Sequence, residues 1–421
     1  MELGLERIEA LLVHLGSPQN SLPVIHVAGT NGKGSVTAYL EGVLLKAGYT
    51  TGRFNSPHLL EPRDSIRVNG KPITKAEYES TLETIQALEK KAQLGVTQFE
   101  MLTAAMFYLF KKHTVDYAII EVGCGGLLDA TNVVTNTKVA VITQIGLDHI
   151  GILGNTLEEI AFQKSGILKP NCPAVVCEQT EPVVMPVLEK RAREMASEVI
   201  LARPARRVNP NLGEVEYITA EGQESRLQYP IPLLGDIQLE NSAVAVHTLL
   251  LLRSLGAHIT DDDIISGMKH VSWAARLEWV ETKTKAGRIL LDGAHNPPAA
   301  KALREYVEGY LVANNLPSTT PVQWIFGATR GKNVNEIFSY LLKPGDSVYC
   351  VPFSQPENMP WISCIPPKEI EDSLRDSSVH TKAFNGVVAA LDDVDPQKFP
   401  LVVMCGSLYL AADFIRARDL D

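Results

Sequence analysis

Apolar and polar positions alternate between two periods along most of the chain. Val24, Ile25 and Val27 form a short apolar run, and Val36, Leu40, Val43 and Leu44 then recur at helical spacing up to Gly48. That order predicts a buried strand running into a helix. Tyr117-Ala118-Ile119-Ile120-Glu121-Val122 and Val139-Ala140-Val141-Ile142-Thr143 are apolar at nearly every position, the pattern of strands covered on both faces. A helix is expected from about Thr156 to Lys164 and another from Asp261 to Met268, with acids in its first turn. Residues 202–232 lose the helical period and gain prolines, which fits a peripheral hairpin.

The polar stretch Thr282-Lys283-Thr284-Lys285-Ala286-Gly287 has linker composition. A new strand, Arg288-Ile289-Leu290-Leu291-Asp292, follows it, and α/β alternation continues through Pro321–Phe326 to Leu401–Cys405. The expected fold class is α/β in two domains, residues 1–281 with a parallel-rich sheet and residues 282–421 as a smaller Rossmann-like unit. A length of 421 residues agrees with two cores rather than one.

Composition narrows the function by exclusion. The formal charge of −10 gives no electrostatic footprint for nucleic acid or an anionic membrane surface. No apolar run reaches bilayer-spanning length. Glu2, Glu6 and Glu9 argue against a secretory signal or an acid-poor transit peptide, so the expected location is the cytoplasm. The six cysteines show no zinc spacing and read as reduced thiols.

The chemistry concentrates where strands end. Gly29-Thr30-Asn31-Gly32-Lys33-Gly34-Ser35 lies between the first strand and its helix, the setting of a phosphate-binding loop. Its amides and the helix N-terminus attract phosphate, Lys33 reaches toward the outer phosphates, and Ser35 or a neighbouring hydroxyl can face a metal. Ser56, before Pro57, either turns toward a metal or caps a turn. Glu121 closes an apolar strand, where a carboxylate calls for a cation or metal. His149 reads as a metal ligand or a solvated imidazole, and Lys164 as an ordinary helix-end lysine unless its pKa is lowered. Asp292, His295 and Asn296 follow the strand that opens the second unit, with Arg276 shortly upstream as a phosphate contact or a boundary ion pair. No Ser/His/Asp or Cys/His nucleophile arrangement is present, so phosphoryl transfer with metal and cations is favoured.

Read in order, HVAGTNGKGSV, SPHL, EVGCGGLLDATN, GLDH, QKSGILKP, LGDIQLEN, DGAHNP and CGSLYL resemble the folate branch of the Mur ligases, the dihydrofolate synthases and folylpolyglutamate synthases. The opening MELGLERIEALLVHLGSPQN and the triplet Asp64-Ser65-Ile66 resemble the fungal dihydrofolate synthetases in particular. The resemblance implies a phosphate-loop Mur-ligase-like domain followed by a glutamate-ligase domain. It implies ATP-dependent joining of L-glutamate to 7,8-dihydropteroate through an acyl phosphate, by a monomer. Glutamate addition to tetrahydrofolates is the alternative activity, and a nucleotide switch without ligation the alternative class.

Carried onto this chain, the resemblance gives the ATP phosphates to Gly32, Lys33, Gly34 and Ser35, and the rest of the nucleotide site to Asn241, Arg276 and Asp292. Ser56, Glu121 and His149 match magnesium positions, and Lys164 matches a lysine carbamylated in relatives. His295 is expected to position phosphate or the incoming amine. Leu3, Gly4 and Phe99 match the pterin site, although Phe99 also suits core packing and Leu3 an amphipathic helix face. The chain departs from the family pattern at three places. Ser65 and Leu127 stand where Arg is usual, and Gly331-Lys332-Asn333 replaces Asp-Lys-Asp.

Overall fold

Strand β1 (Val24–Ala28) is buried at all five positions, which is why it reads as an unbroken apolar run. It is a central strand of an eight-stranded sheet in the computed structural model, which describes residues 4–219, 222–375 and 377–419. The other strands are β2 (Thr51–Phe54), β3 (Ile66–Val68), β4 (Lys71–Pro72), β5 (Tyr117–Glu121), β6 (Thr137–Ile142), β7 (Ala174–Cys177) and β8 (Val199–Ala202). Their order is β4-β3-β2-β5-β1-β6-β7-β8, parallel from β2 to β8 and antiparallel at the β3 and β4 edge. The chain leaves β1 to one side and later returns to its other side with β6. Such reversals open a crevice at the carboxyl ends of the strands, and the phosphate loop lies there.

The helices of this unit are α1 (Glu6–His14), α2 (Lys33–Lys46), α3 (Lys75–Ala92), α4 (Gln98–Lys112), α5 (Leu157–Ser165), α6 (Val184–Glu194), α7 (Ile237–Ser254) and α8 (Asp261–Met268). Phe54 and Ile120 pack with α1 and α4, while Ile142 and Val176 pack with α5 and α6. Successive strand residues point to opposite faces, so Arg53 and Glu121 project to the side that α2 covers. There the Arg53 Nε and the Glu41 carboxylate of α2 form a buried ion pair at 3.1 Å. Burial first, offset by Glu41, pulls the Arg53 guanidinium down to about 10.

Helix α2 is buried nearly all round because α7 and α8 cover the side turned away from the sheet. The α2–α8 approach is backbone to backbone: a Cβ on Gly267 would lie 2.5 Å from Val43 Cα. Because a backbone atom cannot swing aside, Gly267→Ala is expected to destabilise the chain by ~1–3 kcal/mol. A lower urea midpoint at unchanged slope would show it; an unchanged midpoint would exclude this packing.

Residues 202–232 supply the expected hairpin, extended to a three-stranded antiparallel sheet of β9 (Arg206–Asn209), β10 (Leu212–Ile218) and β11 (Glu224–Pro230).

The second unit comprises residues 233–236 and 273–421. Its six strands are β12 (Glu278–Glu281), β13 (Arg288–Leu291), β14 (Val322–Phe326), β15 (Ser347–Cys350), β16 (His380–Ala383) and β17 (Leu401–Cys405), in the order β12-β13-β17-β14-β15-β16. All pairings are parallel except β12–β13. Here the structure departs from the expected boundary at 281/282. Thr282 N donates to Gly287 O at 2.9 Å, so the polar stretch is the turn of the β12–β13 hairpin rather than an interdomain linker. Polar composition is common to both kinds of segment, and only the pairing of Glu278 with Leu291 separates them.

Candidate functional site

The phosphate loop is braced on three sides. Gly32 has φ 89°, a left-handed conformation suited to glycine, and a Cβ there would lie 2.2 Å from Asn241 Oδ1. Asn241, predicted for the nucleotide site, therefore rests against the loop backbone. Its Nδ2 donates to Gln238 Oε1 at 3.2 Å, and Gln238 Nε2 donates to Ser35 Oγ at 3.5 Å. From the β6 side, Thr143 Oγ1 donates to Asn31 O at 2.7 Å, and Thr30 Oγ1 donates to Gly146 O at 3.0 Å. Lys33 is the first residue of α2; its Nζ donates to Thr30 O at 3.1 Å and lies 3.7 Å from Glu121 Oε1.

Two of the predicted metal positions sit at neighbouring strand ends. Ser56 follows β2 and Glu121 ends β5, the strand paired with it. Ser56 Oγ is buried without a hydrogen-bond partner among the described residues, and Glu121 is 6 % exposed. An uncommitted hydroxyl oxygen and a carboxylate form an all-oxygen donor set, which suits a hard divalent cation such as magnesium. His149 is placed differently. Its backbone is left-handed, its side chain is 39 % exposed, and its Nε2 lies 4.0 Å from Asp148 Oδ2. Among the described residues no group of three or more His, Cys, Asp or Glu side chains is arranged to hold a metal. The residues present therefore fit a cation only if phosphate or water oxygens complete its shell.

Lys164 is buried at the end of α5 and donates from Nζ to Gly29 O at 2.8 Å. Burial, with the positive charge of Lys33 adding to it, lowers its pKa to about 7. This environment supplies the shift on which a special role for the lysine depended. The loop between β5 and the next turn packs on the end of α5: Leu127 N donates to Gln163 O at 2.7 Å. A Cβ on Gly166 would meet Leu127 Cα at 2.3 Å, so this departure from the family pattern lies at a tight backbone contact. Asp129 holds the same loop, accepting from Cys124 N at 2.8 Å and Thr131 N at 3.0 Å, while His26 Nε2 is 2.9 Å from Thr131 Oγ1.

Phe99, in the first turn of α4, packs against this loop, since a Cβ on Gly123 would be 2.4 Å from its ring. The ring is half-buried, 6.2 Å from that of Phe54. The neighbouring Glu100 caps α4 through Thr97 and pairs with Arg7 Nε at 3.1 Å, tying the leading helix to the Phe99 turn. Gly4 is half-buried just before α1, and Leu3 lies outside the described residues. Ser65 is buried, with Oγ unpartnered among the described residues.

In the second unit Asp292 is buried beyond β13 and accepts from Leu277 N at 2.8 Å and Ala294 N at 2.7 Å. Burial pushes its pKa up against the opposing charge of Arg276. The Arg276 guanidinium lies over Gly293, where a Cβ would be 2.4 Å from Nη1, and donates to Ala275 O at 3.0 Å. Thus Arg276, Asp292 and His295 gather at one strand end. His295 Nδ1 is 2.9 Å from Gly293 O, and because a carbonyl can only accept, Nδ1 carries the proton. Asn296 caps α9 (Pro297–Ala313), accepting from Ala299 N at 3.0 Å. Asn333, in the third departure, likewise caps a helix by accepting from Glu336 N, and the preceding Gly331 has φ 92°.

Sequence reading missed Asn55, Thr143, Asp129 and His26. Each lies in or beside a motif that was recognised, and a buried polar residue within or just past a strand was the available signal.

Comparison with known proteins converges on one family. The Mur ligase middle domain matches residues 27–249, and the C-terminal domain of dihydrofolate synthetase matches residues 275–417. A probable dihydrofolate synthetase of Schizosaccharomyces pombe is 38 % identical, over 100 % of this chain and 99 % of its own length. Dihydrofolate synthetase of Saccharomyces cerevisiae is 37 % identical, over 100 % and 98 % respectively. Escherichia coli FolC, solved in complex with DHPP and ADP, superposes with a TM-score of 0.80 at 30 % identity, covering 100 % of this chain and 94 % of that one. The bifunctional folylpolyglutamate synthase/dihydrofolate synthase of Yersinia pestis, complexed with AMPPNP and Mn ion, gives 0.80 at 27 % identity, covering 99 % and 94 %. With a phosphate loop after β1, an oxygen donor pair at β2 and β5 and a buried lysine on α5, the chain belongs to the dihydrofolate synthetase and folylpolyglutamate synthase family of ATP-dependent Mur-type ligases.

Proposed function

We propose that this protein joins L-glutamate to 7,8-dihydropteroate, cleaving ATP to ADP and phosphate, and that it acts as a monomer in the cytoplasm. The observation that carries the reading is end-to-end similarity to two fungal dihydrofolate synthetases. A carboxylate is a poor electrophile until one oxygen becomes a leaving group. The pteroate carboxylate therefore takes the γ-phosphoryl group, and the glutamate amine then displaces phosphate from the acyl phosphate. In this reading Gly32, Lys33, Gly34 and Ser35 hold the ATP phosphates, with Asn241, Arg276 and Asp292 completing the nucleotide contacts. Ser56, Glu121 and His149 hold magnesium, which supplies charge neutralisation on the phosphates when bound. Lys164 carries a carbamate. Leu3, Gly4 and Phe99 receive the pterin, the Phe99 ring stacking on its flat face. His295, its ring oriented by the Nδ1–H bond to Gly293 O, positions phosphate or the incoming amine. The larger unit then acts chiefly on ATP and the unit of residues 233–236 and 273–421 on glutamate.

The test is ADP release with Mg-ATP and glutamate, comparing dihydropteroate with tetrahydrofolate and identifying products by mass. Turnover only with dihydropteroate is the expected result. Turnover with tetrahydrofolate would make the chain polyglutamylating or bifunctional. Nucleotide binding without turnover on either would sink the ligase reading and favour a switch.

A further inference from the structure

Glu121 has two oxygens, and only one of them faces Lys33. The other is held by a residue with no role so far. Asn55, 6 % exposed just beyond β2, donates from Nδ2 to Glu121 Oε2 at 2.7 Å and to Thr37 Oγ1 at 2.8 Å. Thr37, on the first turns of α2, donates its own proton to Gly34 O at 2.8 Å. We propose that Asn55 is a positioning residue that aims the Glu121 carboxylate at the metal by fastening it to the helical end of the phosphate loop. This inference rests on the reading of Glu121 as a magnesium ligand.

The chemistry leaves one orientation for the amide. Thr37 has spent its proton on Gly34, so its oxygen can only accept from Asn55. A carboxylate likewise accepts. Both protons of the Asn55 amide are therefore committed, and the group cannot flip without losing two hydrogen bonds at once. Its Oδ1 is consequently turned away, buried and without a partner among the described residues. The backbone is fixed as well, because Asn55 N donates to Ser65 O at 3.0 Å. With Oε2 held, the carboxylate keeps Oε1 on the Lys33 side, 3.7 Å from Nζ. A partner that orients a ligating carboxylate typically influences metal affinity by about 10–100-fold. Ser56 adjoins Asn55 in sequence, so one dipeptide supplies a donor oxygen and the restraint on the carboxylate opposite it.

The experiment measures Mn2+ binding to the full-length chain by electron paramagnetic resonance, with a non-hydrolysable ATP analogue present. Glu121→Gln, Asn55→Ala and Thr37→Val are compared with the parent, and binding of the analogue without metal is measured in parallel. Glu121→Gln should weaken Mn2+ binding most. Asn55→Ala should weaken it about tenfold, and Thr37→Val less, in the same direction. Metal-free nucleotide affinity should hold for Asn55→Ala, and raised magnesium should restore most of its turnover, a split that simple misfolding would not produce. Thr37→Val leaves the Asn55–Glu121 bond in place, so it tests the tether even if Asn55→Ala unfolds. Unchanged Mn2+ affinity in both, beside a weakened Glu121→Gln, overturns the role of Asn55 alone. Unchanged affinity in Glu121→Gln overturns the reading of Glu121 and the inference with it.

Discussion

Lys164→Ala is expected to lower turnover by roughly 10²–10³-fold, the scale of losing one preorganised electrostatic group from a buried position. Two effects contribute, and they can be separated. Removing Nζ leaves the Gly29 carbonyl without its buried donor, at a cost of about 1–3 kcal/mol in stability. It also removes the amine that would carry the carbamate. A carbamate forms when the neutral amine attacks CO2 and releases a proton, and the remaining N–H can still donate to Gly29. Lys164→Gln keeps a donor and cannot be carbamylated, so it should recover stability without recovering turnover. Recovery of turnover in the glutamine variant would refute the carbamate.

The pH dependence has a definite sign. The Lys164 pKa falls from 10.5 to about 7 in the folded chain, so over that interval the unfolded state binds more protons. The penalty for charging the buried amine is fully developed below about pH 7 and is relieved as pH rises toward 10.5. The neutral, reactive amine gains population through the same lower limit. A 13C carbamate signal from 13CO2 should therefore grow as pH rises through about 7 and be lost in Lys164→Gln. A signal that ignored pH would be inconsistent with a reactive amine of this pKa.

Gly32→Ala is the second large effect. Its φ of 89° costs an L-residue about 1–2 kcal/mol, and the new Cβ would lie 2.2 Å from Asn241 Oδ1. Asn241 is 5 % exposed and bonded to Gln238, so it cannot retreat freely. ATP affinity is expected to fall at least about tenfold, with further loss from a displaced loop. Asn241→Gly removes the collision and leaves the backbone strain, so by calorimetry the Gly32→Ala loss in ATP affinity should be smaller when measured against Asn241→Gly alone than against the parent. An equal loss in both backgrounds would mean that Asn241 does not press on the loop.

Much of this was legible in advance because strands covered on both faces need apolar residues throughout. Val24–Ala28 and Tyr117–Glu121 announced themselves that way, and the polar residues at their ends marked the crevice. Asn55 was not legible. Its meaning depends on β2 lying beside β5, a pairing between residues 66 positions apart for Asn55 and Glu121. The segment 282–287 was misread for a related reason, since a turn and a linker share a composition and differ only in what their flanks pair with. Lys164 shows a third case. Its position on α5 was readable, but its lowered pKa arises from burial and from Lys33, which the linear sequence does not bring close.

The two borders of the larger sheet differ in a way that bears on how the chain behaves at high concentration. Strand β4 is only Lys71–Pro72; proline offers no N–H, and the lysine is exposed. A neighbouring strand would find almost nothing there to hydrogen-bond and would meet a charge. Strand β8 carries Val199, Ile200 and Leu201, with Leu201 39 % exposed. Self-association by strand addition is thereby directed to β8, and Leu201→Lys is the change that would make the sheet blunt on both flanks.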